Sequence, residues 1–152
     1  MRVLHARTCE GLRNVQSNER HGSNKNPAGR KSKGIPAGLL TGRNSYLVTK
    51  TSILMCYDFL RSVKPFSDWK LPNEIEVSVL DDTECFGEFI QPAEINISRV
   101  LIFDIDTFVR TMAHEMIHMR QHQLGIEPDH GKSFWLLSRD VCSHFGWRQG
   151  DI

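Results

Sequence analysis

From Asp106 to Leu124 the sequence contains neither Gly nor Pro, and Phe108, Met112, Met116 and Met119 recur at spacings of four, four and three. That period is the apolar stripe of a helix laid against a core. Asp106 or Thr107 can cap its start, and Gly125 with Pro128 just beyond ends it. Inside this segment stands His114-Glu-Met-Ile-His118. Four residues of helix advance a side chain by about 6 Å and rotate it by only about 40°, so the two imidazoles project side by side and can share one metal ion. Glu115, turned by about 100° around the axis, is placed to contact a water beside that ion rather than the ion itself. The rest of the fold has to be arranged around this helix.

Two histidines do not complete a catalytic zinc site, which takes three protein ligands and leaves a fourth position open. His122 continues the four-residue spacing, but a straight helix cannot wrap three successive side chains around one ion, so it is excluded as a ligand. The third donor is expected beyond the break at Gly125, where a short loop lets the next helix return antiparallel. His130 is the best-placed candidate, with Gly131 behind it allowing close backbone approach; Asp129 and Asp140 are the alternatives. His5, His21 and His144 are assigned no catalytic role. The Met112, Met116 and Met119 face reads as packing.

Elsewhere the pattern predicts an N-terminal helix from Asn44 or Ser45 to about Val63, with Leu47, Leu54, Tyr57 and Leu60 on its apolar side. Pro65 to Asn73 reads as a connection. Glu74 to Leu80 alternates so that Ile75, Val77 and Val79 share a face, and Cys85 to Ile90 and Glu94 to Ser98 follow as further strands. Their short connections predict a small, mainly antiparallel three-stranded sheet. Gly131 opens a last helix in which Phe134, Leu137, Val141 and Phe145 keep helical period until Gly146. The expected class is α+β.

Residues 1–43 differ from the rest. They hold nine Lys and Arg against two Asp and Glu, whereas residues 44–152 hold ten against sixteen. Asn14 to Gly42 has no apolar period, and such a composition cannot offset the entropy of ordering the backbone. A flexible basic extension, 1–43, is therefore expected before a domain spanning 44–152. It could meet DNA through phosphate neutralisation, or simply be solvated. The four cysteines form no Cys-x-x-Cys pair, which argues against a zinc ribbon, and no signal peptide or membrane-spanning run is visible. A soluble, intracellular protein with free thiols and no membrane partner is the expectation.

His114-Glu-Met-Ile-His118, followed twelve residues later by His130-Gly131-Lys132 and then Phe134-Trp135, resembles the SprT-like (Spartan-type) metallopeptidase domain. The likeness runs over residues 45–147 and is specific across 111–135. It implies a minimal zincin-like fold with one zinc ion held by His114, His118 and His130; the C-terminal zinc ribbon that members of the family commonly add is not seen in this sequence. It also implies Glu115 as general base and hydrolysis of peptide bonds in protein substrates, DNA-associated proteins and DNA–protein crosslink repair among the settings. Glu94 to Ser98 is a candidate to pair with an extended substrate. The competing expectation is a non-catalytic, zinc-stabilised module that binds nucleic acid or a protein partner.

Overall fold

The computed structural model describes residues 47–152. The basic extension, and Asn44 and Ser45 as helix caps, lie outside the described residues. Helix α1 (Lys50–Ser62) starts later than its periodicity suggested, because Thr49 closes a capping box with Ser52: Thr49 Oγ1 accepts from Ser52 N at 3.0 Å and Ser52 Oγ accepts from Thr49 N at 2.8 Å. Its buried face is Ile53, Cys56, Tyr57 and Leu60. Leu54, expected inside, sits one residue off this stripe and is 40% exposed. The connection after it contains a single-turn helix, α2 (Phe66–Trp69), whose two aromatic rings meet edge to face and bury against the core.

Three strands follow: β1 (Glu76–Leu80), β2 (Gly87–Ile90) and β3 (Glu94–Ser98). Their order in the sheet is β1-β3-β2, with β3 antiparallel to β2 and parallel to β1. The sheet is therefore mixed rather than mainly antiparallel. Three residues between β2 and β3 permit only a reversal, whereas the longer passage from β1 to β2 leaves a gap that β3 enters. Val77 pairs with Ile95, and Gly87 with Ile97. These side chains share the sheet face that packs on α1 and on helix α3 (Ile105–Gln123).

Asp104 caps α3, accepting from Thr107 N at 2.7 Å, two residues before the expected cap. Met112, Met116 and Met119 are fully buried as core, together with Ile53, Tyr57 and Leu60. Gly125 (φ +70°) turns the chain away after α3, and helix α4 (Lys132–Phe145) returns along it, opened by Gly131 and closed by Gly146 in the left-handed region. No helix of the described residues is long and apolar enough to cross a membrane. Cys56 and Cys142 are free and buried, but Cys85 is disulfide-bonded, which corrects the expectation of free thiols at that position.

Candidate metal centre

His114 and His118 leave α3 on the side that faces α4, and the turn before α4 carries His130 back to them. The three Nε2 atoms form a nearly equilateral triangle: 3.1 Å from His114 to His118, 3.2 Å from His118 to His130 and 3.0 Å from His130 to His114. Zinc–nitrogen bonds of 2.0–2.1 Å at tetrahedral angles would space three nitrogens by about 3.3 Å, so the triangle matches the donor geometry of a single small cation. Three imidazoles are also a donor set suited to zinc and its first-row neighbours. Among the described residues this is the one group of His, Cys, Asp and Glu able to hold a metal ion.

The local electrostatics agree. Burial, then the charges of His118 and His130, push the His114 pKa well below 6.5. Burial lowers His118 to about 4, against the opposing hydrogen bond that its ring donates to Gln121. Burial lowers His130 too, with Asp129 opposing. All three rings are neutral at pH 7, which is the form that offers a lone pair to a cation.

Phe134, fully buried in the first turn of α4, supports all three rings, its centroid lying 4.8, 5.0 and 4.7 Å from those of His114, His118 and His130. Trp135 beside it is 43% exposed rather than part of the core. Gln121 joins the same cluster: His118 Nδ1 lies 2.8 Å from its Oε1, and its Nε2 donates to the Asp129 carbonyl and to Ser133 Oγ. Nothing in composition or hydropathy singled out Gln121. Its one sequence signal is the three-residue helical offset from His118.

The alternative donors are engaged elsewhere. The Asp129 carboxylate accepts from Gly131 N at 2.8 Å and so shapes the turn that carries His130. A Cβ on Gly131 would lie 2.8 Å from Asp129 Oδ1, so a larger residue there would displace the Asp129 carboxylate from its place in the turn. Asp140 sits further along α4, exposed, 3.6 Å from His144 Nδ1. His122 stacks obliquely on Phe89 of β2 at 6.0 Å, outside the triad.

Glu115 is 2% exposed. One turn before it, Thr111 Cγ2 would lie 2.9 Å from a Cβ on Gly87, and two turns after it His122 meets Phe89. Positions 111, 115 and 122 follow helical spacing, so Glu115 belongs to the face of α3 that meets β2. The carboxylate is thus inside the molecule, between the imidazole side of the helix and the sheet.

A family model described as SprT-like family matches residues 60–149, a span that contains the whole imidazole cluster. No curated protein and no solved structure matches the chain.

Proposed function

The chain belongs to the SprT-like family, and we propose that it is a zinc-dependent endopeptidase in which His114, His118 and His130 hold the ion and Glu115 is the general base. The observation that supports this most directly is the convergence of three neutral imidazole nitrogens next to a buried carboxylate on the same helix. Held by these three imidazoles, zinc would supply Lewis acidity that lowers the pKa of a water towards 7 and polarises a carbonyl. Glu115 takes the proton that water loses and passes it to the leaving amine, a role that its place on the β2-facing side of α3 suits. Phe134, buried against all three rings, supports the imidazole cluster from its inner side.

An extended substrate needs a sheet edge. Glu94 to Ser98 cannot provide one, because β3 is central and both of its sides are already paired. Among the described residues the edge next to α3 and Glu115 is β2, so we assign backbone pairing with substrate to Gly87–Ile90. Main-chain pairing makes recognition depend weakly on side chains and favours unfolded or exposed segments. For the basic residues of 1–43 we propose contact with DNA, which predicts stimulation of cleavage by DNA that fades with salt.

The test is zinc content together with digestion of an unfolded protein, by wild type and Glu115→Gln, with and without single-stranded DNA. About one zinc per chain in both proteins is expected, with hydrolysis by the variant reduced on the order of 10²- to 10⁴-fold. Undiminished hydrolysis by Glu115→Gln removes the assigned base. Bound zinc with no turnover of any protein by wild type replaces the peptidase reading with a zinc-stabilised binding module.

A further inference from the structure

We infer that Gln121 is a positioning residue of the metal centre: its amide holds His118 in the tautomer whose unprotonated Nε2 faces His114 and His130, and it fastens the loop that delivers His130. The inference rests on the metal-binding reading above.

Gln121 is fully buried, three residues after His118 on α3. Its Nε2 lies 3.0 Å from the Asp129 carbonyl oxygen and 2.7 Å from Ser133 Oγ. A main-chain carbonyl can only accept, so the nitrogen end of the amide has to face Asp129. That chemical requirement settles which end meets His118. It is Oε1, 2.8 Å from Nδ1. An amide oxygen also only accepts, so the His118 proton resides on Nδ1, and Nε2 is left as a bare lone pair aimed at the other two rings.

The same three contacts join three separate pieces of chain: the turn of α3 that bears His118, the residue preceding His130, and the first turn of α4. One side chain therefore governs both a ring's orientation and the end point of the loop opposite it. His114 is held differently. Its Nδ1 is buried with no hydrogen-bond partner, and its ring is positioned by packing on Phe134. Tautomer control by hydrogen bonding thus acts at His118 and not at His114.

The experiment uses the full chain and two readouts. Zinc affinity is measured by competition with a chromophoric chelator for wild type, Gln121→Met and Ser133→Ala. Nitrogen-15 NMR of the metal-free proteins reports the His118 tautomer. Gln121→Met keeps length and apolar volume but has no amide, and it is expected to bind zinc about 10- to 100-fold more weakly and to show mixed His118 tautomers. Ser133→Ala, which removes one of the two anchors of the amide nitrogen but not its contact with His118, is expected to fall between wild type and Gln121→Met in zinc affinity and to keep the His118 proton on Nδ1. Wild-type affinity in folded Gln121→Met, or an equal loss in Ser133→Ala, overturns the inference. Should Gln121→Met not fold, the wild-type spectrum decides alone: a His118 proton on Nε2 refutes the assignment, and one on Nδ1 upholds it. Failure of wild type to bind zinc at all strikes the proposed function instead, and the spectrum still reports on Gln121.

Discussion

Metal-free protein should lose stability as the pH falls from about 7 to about 5. An unfolded chain takes up a proton on His118 near 6.5, whereas in the folded protein burial holds that ring neutral down to about 4. Between those values the unfolded state binds more protons, so the stabilisation is complete above pH 6.5 and is lost as pH falls through the window. For His118 alone the linkage gives a loss of about 2 kcal/mol by pH 5 and about 3 kcal/mol by pH 4. His114 and His130 are lowered as well and act in the same direction. Such a loss is a large fraction of the roughly 5–15 kcal/mol that stabilises an ordinary domain. The carboxylates held below their usual range, Asp81, Asp104 and Asp151, start from 3.8 and contribute only at lower pH. Urea unfolding of chelator-treated protein at pH 7, 6 and 5 reads the effect, with His118→Gln as the comparison in which the pH dependence shrinks by about 2 kcal/mol. Stability that is flat from pH 7 to 5 in the metal-free wild type would refute the claim that the imidazoles are buried and neutral.

Phe134→Ala should cost about 3–5 kcal/mol through the cavity it leaves, and should also weaken zinc binding because the side chain touches all three rings; normal zinc affinity in the folded variant would limit Phe134 to packing. Gly87→Ala would bring a methyl 2.9 Å from Thr111 Cγ2 and 3.1 Å from the Asn96 carbonyl oxygen, for an expected loss of about 1–3 kcal/mol. Adding Thr111→Ser removes that methyl and should recover part of the loss, and strict additivity of the two changes in urea unfolding would show that the two sites do not meet. Thr49→Ala opens the capping box of α1 and should lower the unfolding free energy by about 1 kcal/mol, whereas an unchanged denaturation midpoint would mean that the box contributes nothing.

Much of this molecule was legible in local pattern. The 3.6-residue period located α3 and α4, the Met face was core as read, and the strand expected over Glu94–Ser98 has those bounds. The pairing of His114 with His118 follows from helix geometry, which is a property of neighbouring residues on one backbone. Local reading failed where distant segments compete. Leu54 and Ile53 are almost equally apolar, and only the position of the sheet and α3 decided that Ile53 is inside. Residues 66–69 formed a helical turn because Phe66 and Trp69 had a core to enter.

By itself the sequence determined the three long helices, the two-histidine pair with its adjacent carboxylate, and the break after which a third donor could return. Only the tertiary structure decided the strand order, the convergence of His130 on the pair, and the support of that cluster by Phe134 and Gln121. Rotation along one helix is set by bonds and steric limits within a few residues. The sheet order and the loop's end point depend on contacts between segments far apart in the chain, which no short window of sequence contains.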